Sequence, residues 1–170
     1  MTIYVKMRGY LLIVCCLLTG FFFTACNEIP NCSGTSENLL KVKFTSVDFD
    51  TENDVFVLTD SLVIIQEVRS EERPDSLIIE QADTTSLLTL PVSPYSNTSG
   101  YLITINDSEY VLRVTYDREA RLIAPECGIE QVYKNLDISG TLPGDSVLIL
   151  NDRLLRPSDE NQNINVEIFF

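Results

Sequence analysis

Apolar and polar residues alternate with period two along most of this chain, the spacing of a strand that buries one face. From Leu39 onward, Leu40, Val42 and Phe44 point one way while Lys41, Lys43 and Thr45 point the other. Val55–Leu58 and Leu62–Val68 are β-branched runs between Asp-rich turns. Leu77–Glu80 and Leu87–Val92 follow, the second ended by Pro91 and Pro94 because proline cannot donate to a ladder. The clearest hairpin is Tyr101–Asp117, two alternating runs joined by the polar turn Asn106-Asp107-Ser108-Glu109. Arg121–Ala124 continues the meander towards Cys127 and Gly128. Val132–Ile138, Val147–Leu150 and Ile164–Phe170 complete the set, with Pro143-Gly144-Asp145 as a turn. No window carries an amphipathic helix; residues 126–136 offer at most a helical turn. Short, regularly spaced strands with turn signals predict an all-β fold over residues 39–170. The expected form is a two-sheet antiparallel β-sandwich, Ig-like in general shape. The pattern does not give the order of the strands.

The front of the chain follows another rule. Met1–Arg8 carries Lys6 and Arg8, and Tyr10–Phe23 is an apolar run interrupted by Thr19 and Gly20. That run is shorter than the roughly 18 residues a membrane-spanning helix needs. A cationic start, an apolar run and small residues describe an export signal, and Phe23-Thr24-Ala25-Cys26 resembles the end of a bacterial lipoprotein signal. Phe23 stands where an aliphatic residue is usual. The resemblance implies that residues 1–25 are removed and Cys26 is lipidated, with residues 26–38 as a short tether before the sandwich. The competing reading is a structural cysteine in a secreted protein. Each buried acyl CH2 contributes about 0.8 kcal/mol and one chain anchors only marginally; the implied chemistry attaches several. The expected location is the outer membrane, lipid-anchored and facing the periplasm or the cell surface. Asn27 lacks the Asp that resembles an inner-membrane retention signal.

Charge narrows the partners. Of 12 basic residues, Lys6 and Arg8 leave with the signal, so a chain beginning at Cys26 keeps 10 against 25 acids, a net −15. Nucleic acid is bound by neutralising phosphates, so such a partner is not expected. Nor is docking of the body on an anionic lipid surface. The plainest consequence is solubility. Of five cysteines, Cys15 and Cys16 go with the signal and Cys26 is the anchor. Cys32 and Cys127 remain, in an oxidising compartment where disulfides persist. A bridge between them is predicted, worth roughly 4–5 kcal/mol in the chain-entropy model; the alternative is two free thiols packed as small hydrophobes. Cys32 lies six residues after Cys26, a leash of at most about 20 Å.

Leu112-x-Val114-x-Tyr116, Ala124-Pro125-Glu126-Cys127-Gly128 and Tyr133-x-Asn135-Leu136, with Leu90-Pro91 and Cys32 upstream, resemble a family of uncharacterised bacterial envelope lipoproteins. That family is a domain of unknown function with a Ser/Ala-Pro-x-Cys-Gly motif. This chain has Ala124 where Ser is usual. The likeness covers about residues 32–170. It implies a β-rich envelope lipoprotein with no assigned activity, and it supplies no catalytic residue.

Candidate chemistry is thin. There is no histidine, which removes Ser-His-Asp and Cys-His systems and His-ligated zinc. There is no Trp, although Tyr95, Tyr101, Tyr110 and Tyr133 offer rings for stacking on a sugar. The seven glycines form no phosphate loop. Acids are plentiful, but no spacing selects a hydrolytic pair. Asp48, Asp50, Glu52 and Asp54 place oxygens at alternate positions as calcium prefers, without the glycine and distal Glu of the helix-loop-helix pattern; the plainer reading is an acidic turn. Ser61, Ser76, Thr84 and Ser146 each follow an Asp in triplets resembling the O-glycosylation signal of bacteria that carry this lipoprotein family, and the same triplets serve as turn chemistry. Ile164–Phe170 ends on an aromatic as outer-membrane barrel strands can. Its shortness favours the last strand of a sandwich, or an open edge for strand addition.

These observations lead to an envelope-anchored lipoprotein with a non-enzymatic binding or structural domain, attached to the membrane through Cys26, needing no cofactor and serving a protein or glycan partner. The alternatives are a glycan- or pilus-associated accessory lipoprotein and, further off, a carboxylate-based hydrolase. Cells fed a palmitate analogue are expected to label the protein and to leave Cys26→Ala unlabelled. Label that survives the substitution excludes Cys26 as the anchor.

Overall fold

In the computed structural model, eleven strands are described. They are β1 (Leu39–Asp50), β2 (Val55–Asp60), β3 (Val63–Ser70), β4 (Leu77–Ile79), β5 (Asp83–Thr85), β6 (Leu87–Pro91), β7 (Thr98–Ile105), β8 (Ser108–Ala124), β9 (Gly128–Thr141), β10 (Ser146–Ile149) and β11 (Val166–Phe169). The described residues are 32–79, 82–156 and 163–170, all within the unit Cys32–Phe170. The signal expected over residues 1–25, the lipidation site expected at Cys26, the first part of the expected tether and Glu80 lie outside them.

The first sheet is assembled on β1, whose Leu40, Val42 and Phe44 are buried. β6 pairs antiparallel with Leu39–Lys43 and β2 with Thr45–Asp50, so both share one edge of β1. β11 occupies the other edge and β10 pairs beyond it. β11 runs parallel to β1, an exception to the antiparallel sandwich expected from the pattern. With Val166 and Ile168 buried, the C-terminal segment is an inner strand of a sandwich sheet and not an open edge.

The second sheet runs β4-β3-β7-β8-β9, with β5 also on β3. Neither sheet closes into a barrel. Its inner face supplies Val63, Ile65, Val68, Tyr101, Ile103, Ile105, Leu112, Val114 and Tyr116 to the common core. Burying each such side chain contributes about 1.5–3 kcal/mol. The β7–β8 hairpin turns on Asn106 and Asp107 alone, with φ of 49° and 65°. These are the residues that tolerate the left-handed conformation a two-residue turn needs.

Residues 126–136, expected to hold a helical turn, are the end of a turn and the start of β9. The misleading signal has a cause. Tyr133 and Leu136 are both buried, three apart like successive positions on a helix. The register shows why: Asp117 pairs with Lys134 but Thr115 with Asp137. β9 therefore carries one extra residue there, a β-bulge, and Asn135 takes a φ of 55°.

Cys32 and Cys127 are joined by a disulfide, with Cα atoms 5.1 Å apart. The family-like motif Ala124–Gly128 forms the turn that presents Cys127. The Cys127 N–H donates to the Ala124 carbonyl at 3.0 Å, and Gly128 sits at φ 81°, open to glycine at no steric cost. The motif is thus explained by turn and bridge, without a ligand. The folded body also reaches back beyond Leu39. The Ser36 hydroxyl donates to the Leu154 carbonyl at 3.0 Å, and the Arg156 N–H donates to the Thr35 carbonyl at 2.9 Å. Glu130 closes this strap. Burial pushes its carboxyl up, but hydrogen bonds from Arg121 and the Ser36 N–H prevail and hold it below the usual range.

Asn165 is the main polar group inside the body, with 1 % of its surface exposed. Its Oδ1 accepts the Lys41 N–H at 3.0 Å, while Nδ2 donates to the Arg153 carbonyl at 2.8 Å and the Asn151 carbonyl at 3.3 Å. One side chain thereby ties β1 to the loop before β11. Removing it takes the partner from three part-buried backbone groups, a loss of about 1–3 kcal/mol in all, since water reaches them in part. Asn165→Ala is therefore expected to lower the melting temperature by roughly 6–12 °C in a scanning calorimeter. A loss below about 2 °C would show that water replaces the amide.

Candidate functional site

β1 is twelve residues long, and only its first half is covered. Beyond Ser46 it leaves the sandwich with β2 as a two-stranded ribbon closed by Thr51–Asp54. Every residue of β2 is exposed. The register puts Phe49 opposite Phe56 and Val47 opposite Leu58, so these four share one face; the rings of Phe49 and Phe56 meet at 5.1 Å. Phe49 is 49 %, Phe56 73 % and Leu58 60 % exposed. Val55 and Val57, on the other face, are exposed as well. Isolated surface apolar residues are ordinary, whereas a contiguous group marks an interaction site.

The ribbon is also acidic. Asp48, Asp50, Glu52, Asp54 and Asp60 lie on it, and no Lys or Arg occurs between Lys43 and Arg69. The structure does not gather Asp48, Asp50, Glu52 and Asp54 into a calcium site. Among the described residues no group of three or more acids is placed to hold a metal. The reason is local: Asp50 accepts the Glu52 N–H at 2.9 Å and the Asn53 Nδ2 at 2.8 Å, so its oxygens cap the turn. The Asn53 side chain and the Glu52 amide hold its carboxyl below the usual range.

Three clefts are less persuasive. The one beside loop 92–98, of about 490 Å³, is lined by Arg73, Ser93, Tyr95 and Ser99 among others. Several of its hydroxyls are engaged in the fold. Ser99 Oγ accepts the Ser93 N–H and meets Tyr116 Oη at 2.8 Å, and Ser93 Oγ accepts the Tyr95 and Ser96 amides. Of the four tyrosines expected as a stacking platform, Tyr101 and Tyr133 are buried and Tyr110 is half-buried; Tyr95 alone is open, at 89 %. Burial pushes the Tyr101 and Tyr133 phenols up, as core residues. A neighbouring cleft of about 300 Å³ runs along the Glu71–Arg113 ion pair. The third, of about 570 Å³, lies over the disulfide and the Glu130 strap.

The displaced carboxyls among the described residues, Asp50, Glu71, Glu119 and Glu130, all move downward. A general acid needs the opposite displacement. Of the Asp-Ser/Thr triplets, Ser76, Thr84 and Ser146 are exposed and Ser61 is half-buried. The Ser61 N–H donates to the Phe44 carbonyl and that of Ser76 to the Arg73 carbonyl, so both also serve as turn residues.

The pattern reading identified the β2 run between Asp-rich turns but did not say which of its faces would be covered. A signal was present: Val55-Phe56-Val57-Leu58 is apolar on both faces, as a doubly covered strand would be, yet acids flank it on both sides. If the ribbon serves binding and not folding, Phe56→Ser should cost about 1 kcal/mol, the scale of one cross-strand ring contact. Phe44→Ala in the core should cost about 3–5 kcal/mol. Urea titrations of the two variants check this, and equal losses would make the ribbon part of the core.

No protein-family model, no curated protein and no solved structure matches this chain.

Proposed function

We propose that the protein is a lipid-anchored envelope protein whose β-sandwich binds a protein partner through the β1–β2 ribbon and carries out no catalysis. The observation that carries this reading is the ribbon's apolar face, Val47, Phe49, Phe56 and Leu58, held open to solvent at the end of a well-packed sheet. Such a face is a liability in a free protein, and a partner removes it. The expected anchor agrees with the body's construction. Cys127 ties the β8–β9 turn to Cys32, six residues from Cys26, within about 20 Å of the lipid. That end of the hairpin exposes Leu122 and Ile129, apolar residues suited to rest near a bilayer. A glycan-binding reading has less support, since it would rest on one open ring, Tyr95, beside a cleft whose Ser93 and Ser99 hydroxyls are already bonded within the fold.

A photo-crosslinking amino acid placed at Phe56 in growing cells tests the proposal. One discrete adduct is expected in the membrane fraction, the same protein by mass spectrometry in each preparation. It should be absent when the crosslinker replaces exposed Thr89 on β6, and lost when Phe49→Ser is added. Adducts of equal yield at both positions, or none at Phe56, would overturn the ribbon's role.

A further inference from the structure

The free edge of β2 specifies more than a sticky surface. The Ser61 N–H donates to the Phe44 carbonyl at 3.0 Å. In an antiparallel ladder, bonded and non-bonded pairs alternate. The register continues without a break through Ser46 and Thr59, Asp48 and Val57, and Asp50 and Val55, so these are the bonded pairs. Phe56, Leu58 and Asp60 therefore turn their N–H and C=O groups away from β1. Among the described residues no strand covers that side. The same residues carry their side chains on the face shared with Val47 and Phe49. Backbone valences and apolar contacts are thus presented together, as recognition by strand addition requires.

Charge selects the occupant. Asp60 stands at one end of the edge and Glu52 and Asp54 at the other. Of the bases among the described residues, Lys43 alone is paired in this region, bonded to Asp60 at 2.8 Å and near Glu167. Among the described residues no base pairs with Asp48, Glu52 or Asp54. A second copy is a poor occupant. Two β2 strands laid antiparallel would bring Asp60 of each beside the acidic turn of the other, and like charges directly opposite are destabilising. An anionic lipid surface is repelled for the same reason.

Resting on the binding role given above, we propose that β2 accepts an extended, cationic segment of another protein as an added strand. Its aliphatic residues would lie beside Phe56 and Leu58, with Lys or Arg towards Asp60 and the Glu52–Asp54 turn.

The mature lipoprotein in detergent micelles can be titrated with short fluorescent peptides. One has a Val-rich centre flanked at both ends by Lys, one has the same centre flanked by Glu, and one is the Lys–Val peptide N-methylated along its edges, keeping every side chain and charge. The Lys–Val peptide is expected to bind at least about tenfold more tightly than either control, because strand addition draws affinity from main-chain bonds. Leu58→Pro is the informative variant. The Leu58 N–H faces away from β1, so proline keeps the β1 pairing but removes an edge donor; it should abolish the preference with an unchanged circular dichroism spectrum. Should that variant unfold, Phe56→Thr with Leu58→Thr replaces it and should weaken the Lys–Val peptide alone. Equal binding of the methylated and unmethylated peptides overturns strand addition, as does a dimer in light scattering that Leu58→Pro dissolves, which makes a second copy the occupant. If the Phe56 adduct in cells survives Leu58→Pro, the ribbon binds its partner by its face and only the strand mechanism fails.

Discussion

β1 is longer than the sandwich that holds it, and the rest of the molecule follows from that mismatch. Over Leu39–Thr45 the strand is flanked by β6 along Leu39–Lys43 and by β11 along Val42–Thr45, and buries alternate residues in the common core. Past Val47, whose N–H donates to the Phe170 carbonyl at 3.3 Å, the β11 side has no further strand among the described residues. The backbone pairing with β2 keeps the strand extended, while burial no longer stabilises it. A two-stranded ribbon alone is marginal in water. Here it is stabilised as an extension of a strand already fixed by Leu40, Val42 and Phe44. The sandwich thus supplies rigidity to a surface that has no core of its own.

That division explains what could be read from the sequence. Strands that bury one face were legible, because Leu40, Val42 and Phe44, or Tyr101, Ile103 and Ile105, mark a face by alternation alone. Three features were not. Pairing partners leave no trace in alternation, so the parallel placement of β11 against β1 was hidden. The bulge at Asn135 shifted the spacing of Tyr133 and Leu136 from two to three and imitated a helix. And Val55–Leu58 satisfies the pattern of a buried strand equally well whether its cover is the same chain or another. The last of these bears on the proposed binding role. Hydrophobic pattern reports the need for burial and is silent about who provides it.

The cysteine pair was legible for a different reason. Its inference used compartment and number, not geometry, and the bridge between Cys32 and Cys127 follows from both. The turn residues Pro125 and Gly128 then appear as what a hairpin needs to present Cys127 to Cys32, so a motif that resembles a family signature has a sufficient structural cause. Asn165 shows the limit of such reading. Nothing in its neighbourhood of the sequence distinguishes it from a surface loop residue, and its role as the tie between β1 and the Asn151–Arg153 loop arises from contacts made over more than a hundred positions.

The acids of the ribbon carry two physical consequences at once. Against another copy, or against the same edge in an aggregate, they act by repulsion, one of the ways exposed strands are kept from pairing with themselves. Against a cationic strand the same carboxylates attract, and their attraction is felt before contact, over about a Debye length of 8–10 Å in physiological salt. A neutral guard such as proline would protect the edge from every comer. Charge of one sign protects it selectively, leaving it open to the opposite sign. Phe56 and Leu58 are exposed beside Asp60 and the Glu52–Asp54 turn, so on the proposed reading apolar affinity and electrostatic selection lie on one short stretch of chain.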